Sequence, residues 1–199
     1  AGVAKKCLVI GAEMLSRVVD EFDRDSMIFA DGAGAAVVEL REEDQQRGII
    51  ATATAAHTKD ELNYLGIGCS YRPESDENIR YIKMQGRKIY EYALTNVPQA
   101  MKNCLEQSGT DIKDLKKIFL HQANEKMDDA ILKRFYKLYN MDEPPADIMP
   151  MNIYEFGNSS VATIPTLFYM VNNRQIGDHE VNAGDTVMFA SVGAGMNVN

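Results

Sequence analysis

The sequence predicts an α/β fold in which helices cover a mixed β-sheet. Short apolar runs that end at glycine or polar residues dominate the first third of the chain, as expected for strands. Two later segments repeat apolar residues with the 3.6-residue period of a buried helix face. The resulting order of strands, helix, strand, two helices and final strands is typical of a layered α/β domain. With 199 residues, 45% of them hydrophobic, the chain is long enough for a domain with its own core.

The first third of the chain is predicted to be rich in strands. Residues 6–11 form a short apolar run that ends in glycine, which indicates a buried strand. Residues 28–40 are predicted to form a strand, a glycine-rich turn or bulge, and a second strand. Strand character continues over 49–57, whereas the polar segment 58–76, interrupted by glycines, is predicted to be a loop.

Residues 85–107 are predicted to form the first long helix, which ends at Ser108 and Gly109. Pro98 lies inside it and cannot donate a backbone hydrogen bond, so a kink or a restart is expected there. The apolar positions that follow the helical period are Ile89, Ala93, Val97, Ala100, Met101, Cys104 and Leu105.

The second half of the chain is predicted to continue with alternating strands and helices. A three-residue apolar strand, 118–120, delivers His121 to the start of a second helix over 125–139. Side-chain oxygens in the segment 158–160 are expected to cap a third helix. The remaining predicted elements are the end of that helix near residue 173 and strands over 186–191 and 196–199.

Composition and charge exclude several classes of function. The net charge of −8, from 21 basic and 29 acidic residues, disfavours a nucleic-acid partner because phosphate binding needs a basic surface. No run of about 18 apolar residues is present, so a membrane span is not expected. The three cysteines, Cys7, Cys69 and Cys104, are odd in number and form no CxxC pair. They indicate neither a disulfide framework nor a metal site, and they fit a reducing cytoplasm.

Two glycine-rich segments and two polar residues stand out as candidate sites. Gly32-Ala33-Gly34 and Gly193-Ala194-Gly195 are not predicted to bind a dinucleotide, because that fingerprint needs a helix after the glycines and 35–40 favours a strand. His121 lies between a strand and a helix, a usual place for a catalytic side chain in an α/β sheet. Taken singly, however, His121 is more often structural and Asn158 is more often a helix cap.

Four motifs occur in a fixed order along the chain. They are Asp31-Gly32-Ala33-Gly34-Ala35-Ala36, His121-Gln122-Ala123-Asn124, Gly157-Asn158-Ser159-Ser160 and Gly193-Ala194-Gly195, with Asn158 placed 37 residues after His121. In order and spacing they resemble the type III 3-oxoacyl-(acyl-carrier-protein) synthases of the thiolase superfamily. The resemblance runs from about residue 4 to the end, and it implies that 1–199 is the C-terminal half of a thiolase-like fold.

The resemblance implies a decarboxylative Claisen condensation between an acyl-CoA primer and malonyl-acyl carrier protein, in fatty acid biosynthesis and without a cofactor. In that family a cysteine thiolate carries the primer, while a histidine and an asparagine donate hydrogen bonds to the malonyl thioester carbonyl. The match assigns these donor roles to His121 and Asn158, which would stabilise the developing enolate. A neutral imidazole suits a desolvated site. A backbone amide of Gly193 or Ala194 is implied for the second oxyanion hole.

Further roles follow from the same resemblance. Asn124 matches a residue that contacts the pantetheine arm or orders water, and Arg24 matches one near the adenine end of coenzyme A. Lys126 stands near the expected tunnel mouth. With Lys133 and Lys137 it forms a basic stripe, which indicates either a docking face for acidic acyl carrier protein or a solvated helix face.

The family's nucleophilic cysteine has no counterpart among Cys7, Cys69 and Cys104, since none is predicted at a helix N-terminus where a thiolate is favoured. The chain alone is therefore expected to be inactive. The resemblance also implies that the chain is trimmed at both ends and derives from a homodimeric parent. Two alternatives remain open. One is a non-catalytic ketosynthase-like subunit or acyl-carrier-binding module, and the other is a condensing enzyme of a specialised polyketide-like pathway.

Overall fold

The computed structural model describes residues 4–42 and 47–199. Within these ranges the helices are α1 (Gly86–Ser108), α2 (Glu125–Lys137), α3 (Ile153–Phe156) and α4 (Thr163–Asn172). The strands are β1 (Lys6–Met14), β2 (Asp31–Glu39), β3 (Ala55–Ala56), β4 (Leu65–Gly68), β5 (Tyr81–Met84), β6 (Leu115–Leu120), β7 (Thr186–Ala190), β8 (Val192–Gly193) and β9 (Asn197–Val198).

The strands of the described ranges lie in four small sheets. β1 pairs with β2, β4 pairs with β5, and β9 lies between β3 and β8, all antiparallel. β6 and β7 pair in parallel. The predicted α/β class and its mixture of strand directions are confirmed. The expected continuous sheet is replaced by separate ones, because most strands pair with a close neighbour along the chain.

Strand β6 lies between two apolar cores. Ile118 and Leu120 point into the larger core, together with residues of α1 and α2. Phe119 points to the opposite side and packs with Leu167 and Val171 of α4. This alternation follows from the period of two along a strand. The strand is therefore fixed from both faces, and the residue that follows it is held in place.

Helix α1 runs through Pro98 without ending, so the predicted restart is wrong. Proline at this position leaves the carbonyl of Leu94 without its usual helical donor. Arg134 of α2 replaces that donor, with Nη1 3.1 Å from the Leu94 oxygen. A side chain of the neighbouring helix thus completes the hydrogen bonding of α1.

Replacing Arg134 with methionine is expected to destabilise the chain by about 1–3 kcal/mol, because the Leu94 carbonyl then loses a partly buried hydrogen bond from a charged donor. Pro98→Ala is the matched control. It restores a backbone N–H for Leu94, so Arg134→Met should cost clearly less in that background. Urea unfolding of the four proteins measures the coupling between the two sites, and equal costs in both backgrounds contradict the interpretation.

The predicted glycine-rich turn or bulge between 28 and 40 is wrong. β2 pairs with β1 in unbroken register, and Gly32 and Gly34 lie inside the strand. A Cβ at Gly32 would come within 2.9 Å of Ser159 Cβ, and one at Gly34 within 2.6 Å of Pro165 Cγ. These glycines therefore permit close packing of β2 against the segment that follows Asn158.

Three other predicted segments differ from the structure. Strand character over 49–57 is limited to β3, and the predicted loop 58–76 contains β4, which pairs with the unpredicted β5. The third helix starts at Thr163, after a short 3₁₀ turn. The other predicted helices and strands are found with shifted ends, but β1, which was predicted to be buried, is mostly exposed.

Candidate active site

His121 follows β6 directly and extends the pairing of that strand with β7. Its backbone N–H donates to the carbonyl of Ala190 at 2.8 Å. The next residue, Gln122, is fully buried and holds the neighbouring segment by two hydrogen bonds. Its Nε2 donates to the Pro150 carbonyl at 2.9 Å, and its Oε1 accepts from the Asn152 N–H at 3.0 Å. The turn that carries His121 is therefore fixed on both sides.

The imidazole of His121 is neutral at physiological pH. Desolvation by the surrounding protein lowers the pKa of His121 to about 4, and a hydrogen bond with the backbone of Ser160 only partly opposes this shift. A neutral ring carries one N–H donor and one acceptor nitrogen. The uncharged ring can therefore donate a hydrogen bond to a developing negative charge only while its single proton is on the nitrogen that faces the cavity, and not on the one that contacts the Ser160 backbone.

Asn158 is buried and held by its backbone and by its side-chain oxygen. Its N–H donates to the Ile28 carbonyl at 2.8 Å, and its own carbonyl accepts from the Ala30 N–H at 2.9 Å. The side-chain Oδ1 accepts from the Ser160 N–H at 2.9 Å. This fixes the orientation of the carboxamide, and Nδ2 donates no hydrogen bond within the described ranges, so it is the end that can donate to a ligand. The predicted capping role is wrong, because the N-cap residues of the 3₁₀ turn (Ser160–Ala162) and of α4 are Ser159 and Ala162, and neither accepts a side-chain capping hydrogen bond.

Gly193 and Ala194 begin a tight hairpin between β8 and β9. Gly193 pairs with Asn197, whose side-chain Nδ2 donates to the Ala194 carbonyl at 2.9 Å. Gly195 and Met196 both have positive φ, +72° and +48°. We call residues 193–196 the glycine loop.

A cavity of about 780 Å³ brings the four predicted catalytic positions together: His121, Asn158, Gly193 and Ala194 all line it. Candidate hydrogen-bond donors therefore border the same cavity. The remaining wall is largely apolar, with Leu15, Val18, Phe29, Leu65, Ile67, Ile82, Val161 and Ile164 among its lining residues. Such a cavity suits a thioester whose carbonyl meets the donors while an alkyl chain meets the apolar side.

The three residues predicted to bind substrate or carrier protein lie outside this lining. Arg24, Asn124 and Lys126 are all exposed. Asn124 caps α2, where its Oδ1 accepts from the Met127 N–H at 3.2 Å. Within the predicted basic stripe, Lys133 forms an ion pair of 3.4 Å with Glu143.

The three cysteines all fall in the described ranges, and none of them lines the cavity. Cys7 lies in β1, Cys69 follows β4, and both are exposed. Cys104 is half-buried in α1.

The sequence analysis did not predict strands β4 and β5. Residues of both strands line the cavity, together with Arg80, which precedes β5. The buried Asp20 ties this hairpin to the segment before β2. Its carboxylate accepts hydrogen bonds from the Ser70 hydroxyl and the Tyr71 N–H, both at 2.8 Å, and pairs with Lys83. Burial alone would raise the pKa of Asp20, but these hydrogen bonds outweigh it and hold the pKa well below its ordinary value.

A second buried carboxyl lies on the first turn of α2. Asp128 is 0% exposed, and neither oxygen has a well-formed hydrogen bond within the described ranges. Desolvation, together with the nearby charges of Asp129 and Glu125, raises the pKa of Asp128 to about 8. The backbone of Ala123 opposes this only weakly.

None of the helices in the described ranges is long and apolar enough to cross a membrane, and no group of histidine, cysteine, aspartate and glutamate side chains there is arranged to hold a metal ion.

Two family models match the chain. The one described as 3-oxoacyl-[acyl-carrier-protein (ACP)] synthase III matches residues 1–58, and the one described as its C terminal matches residues 105–199. The beta-ketoacyl-[acyl-carrier-protein] synthase III of Erythrobacter litoralis is 31% identical over 197 residues, which cover 98% of this chain and 57% of that protein. The chain thus spans about half the length of the curated relatives it matches.

Solved structures show the same similarity. The 3-oxoacyl-[acyl-carrier-protein] synthase III from Aquifex aeolicus VF5 is 30% identical with a TM-score of 0.77, over 99% of this chain and 57% of that one. The priming β-ketosynthase from the R1128 polyketide biosynthetic pathway is 25% identical with a TM-score of 0.81, over 99% and 56% of the two chains.

Proposed function

Since the chain belongs to the 3-oxoacyl-[acyl-carrier-protein] synthase III family, we propose that it supplies the enolate-stabilising part of a condensing enzyme. The resemblance inferred from the motifs and the thiolase-like α/β fold are confirmed by these similarities. That residues 1–199 all belong to the C-terminal half stays a prediction, because 1–58 and 105–199 match different family models.

The observation that carries the proposal is the convergence of donors on one cavity. Three groups border the same cavity: the neutral ring of His121, the carboxamide of Asn158 and the backbone at Gly193 and Ala194. Hydrogen-bond donors that are fixed in advance stabilise charge as it develops, and a site shielded from water strengthens them. Both side chains form hydrogen bonds with the backbone of Ser160, so little reorganisation is required during the reaction.

In the proposed reaction, the malonyl thioester carbonyl accepts hydrogen bonds from His121 and Asn158. The bond between the α-carbon and the carboxylate breaks, carbon dioxide leaves, and the electron pair forms an enolate whose oxygen these donors stabilise. The enolate carbon then attacks the acyl thioester carbonyl. An amide at Gly193 or Ala194 stabilises the resulting oxyanion until the cysteine thiolate departs and the 3-oxoacyl thioester is released. The cysteine is supplied from outside this chain.

The proposed partners are acyl carrier protein and a coenzyme A thioester, and no cofactor, nucleic acid or membrane takes part. Arg24, Asn124 and Lys126 are proposed binding positions outside the cavity lining, and their exposure leaves them accessible to a large carrier. We further propose a homodimeric, cytoplasmic enzyme. The three free cysteines support a reducing compartment.

The pathway has two candidates. Fatty acid biosynthesis is supported by the names of the curated relatives, and a polyketide-like pathway by the similarity to the R1128 priming ketosynthase. A non-catalytic role is disfavoured, because both donor side chains are retained in oriented positions at the cavity.

The test uses a joined synthase, in which this chain replaces the matching part of the Erythrobacter litoralis relative. The joined synthase is expected to take up label from acetyl-CoA and to condense it with malonyl-acyl carrier protein, whereas the chain alone is expected to do neither. The unaltered relative is the positive control. Stable labelling of the chain alone would show that one of its own cysteines is the nucleophile. An acylated joined synthase that forms no condensed product would refute the proposed role of the chain.

A further inference from the structure

We propose that Tyr92 and His57 are positioning residues for the glycine loop, holding it in the conformation in which it borders the cavity. The catalytic meaning of this inference rests on the proposed function, since it assigns importance to the amides of Gly193 and Ala194. The contact itself is independent of that function. It joins three segments that are far apart in sequence: the end of β3, helix α1 and the hairpin between β8 and β9.

Tyr92 is the centre of the contact. Its side chain is 6% exposed on α1, and its hydroxyl donates to the Met196 carbonyl at 2.7 Å. The ring Nδ1 of His57 lies within hydrogen-bond distance of the same hydroxyl. The phenol has one proton and gives it to Met196, so His57 is the donor in the second hydrogen bond. The backbone N–H of His57 also donates to the Met196 carbonyl, at 3.2 Å.

Met196 needs such support because its backbone is in the left-handed region, with φ of +48°. For a residue other than glycine this conformation costs about 1 kcal/mol or more, and it persists where surrounding contacts hold it. Two donors meet its carbonyl, and its side chain is 1% exposed in the larger core. Tyr92 and His57 therefore act at the strained point of the loop.

The position of Met196 controls the residues that border the cavity. Ala194 lies two residues before it, and Gly195 between them also has positive φ. If Met196 relaxes to an extended or right-handed conformation, the path of the loop changes and the amides near Ala194 turn away from their present direction. The hydrogen bond between Asn197 and the Ala194 carbonyl fixes the loop from within, and Tyr92 with His57 fixes it to the rest of the fold.

The first experiment measures amide hydrogen exchange by NMR on the chain itself. In Tyr92→Phe, exchange of the His57 amide, which donates to Met196, is expected to be about tenfold faster, because one of two hydrogen bonds to that carbonyl is lost. Tyr90→Phe is the matched control, since it removes a tyrosine hydroxyl from an exposed position two residues away on the same helix. Unchanged exchange in Tyr92→Phe overturns the inference.

The second experiment measures steady-state kinetics in the joined synthase. Tyr92→Phe is expected to lower kcat about tenfold with little change in KM for malonyl-acyl carrier protein, and Tyr90→Phe is expected to change neither. His57→Ala should act in the same direction, and His57→Asn should restore part of kcat because its side-chain Nδ2 can take the place of the imidazole Nδ1 as the donor.

The outcomes separate this inference from the proposed function. Faster exchange with unchanged kcat overturns the positioning role, while a large loss of kcat in His121→Ala leaves the proposed function standing. If His121→Ala retains full activity, the proposed function falls, and the catalytic part of this inference falls with it. Faster exchange together with a kcat defect in Tyr92→Phe, but not in Tyr90→Phe, supports the inference.

Discussion

Alanine at His121 or at Asn158 is expected to lower kcat of the joined synthase by about 10²–10³-fold, because each change removes one donor to the developing enolate oxygen. The two losses should combine less than additively, since both donors serve one oxygen. His121 enters the reaction as a neutral donor with a pKa of about 4. Its titration should therefore produce no inflection of kcat between pH 6 and 8.

Labelling and product assays distinguish this role from a structural one. Formation of the acyl-enzyme from radiolabelled acetyl-CoA should persist in His121→Ala and Asn158→Ala, whereas release of carbon dioxide from malonyl-acyl carrier protein should fall with kcat. His179→Ala is the control, since His179 lies outside the cavity lining. Unchanged turnover in either alanine variant contradicts the assigned donor role, and a parallel loss of acylation points to a folding defect.

Asp128→Asn is expected to change how stability depends on pH. The folded pKa of about 8 lies above the ordinary aspartate value of 3.8, so between these values the folded chain holds a proton that the unfolded chain releases. The stability that the bound proton of Asp128 contributes is complete below about pH 4. It decreases as pH rises from 4 and is lost once pH passes through about 8. The slope in this window is about 1.4 kcal/mol per pH unit for one group. Asparagine cannot ionise and removes this slope, which gives the variant its greatest relative advantage at pH 8 and above.

The measurement is urea unfolding of both proteins at several pH values from 4 to 9. The difference in free energy of unfolding between variant and wild type isolates Asp128 from other titrating groups. Asp142→Asn, at an exposed position after α2, is the matched control and should show no comparable change in slope. A difference that is constant across this pH range contradicts the assignment of a buried, protonated carboxyl.

The sequence was sufficient for the parts of the site that depend on local pattern. The apolar run before His121 and the helical period after Asn124 predict β6 and α2, because strands and helices differ in period. The motifs predicted four of the residues that line the cavity, whereas Arg24, Asn124 and Lys126 lie outside its lining. Their catalytic roles stay predictions until the variants are assayed.

The sequence was insufficient where tertiary contacts decide the structure. β4 has the sequence Leu-Gly-Ile-Gly, which indicates a loop, and it becomes a strand by pairing with β5. The contacts of Asp20 with Ser70, Tyr71 and Lys83 span 50 to 63 residues, so local pattern gives no signal for them. The hydrogen bonds of Tyr92 with His57 and Met196 are equally non-local. From the sequence, an aromatic residue such as Tyr92 on the buried face of a helix indicates only a core position.

The glycines of β2 also limit how related enzymes can be recombined. β1 and β2 belong to the segment that matches one family model, and the residues that Gly32 and Gly34 touch belong to the segment that matches the other. A crossover placed between residues 40 and 100 would separate the two sides of this contact. If the enzyme that supplied the first segment carried alanine or a larger residue at either glycine position, its side chain would clash. The β1–β2 pair would then be displaced from the segment that follows Asn158. When segments of such enzymes are exchanged, the β1–β2 pair and the segment that follows Asn158 should therefore be taken from the same parent.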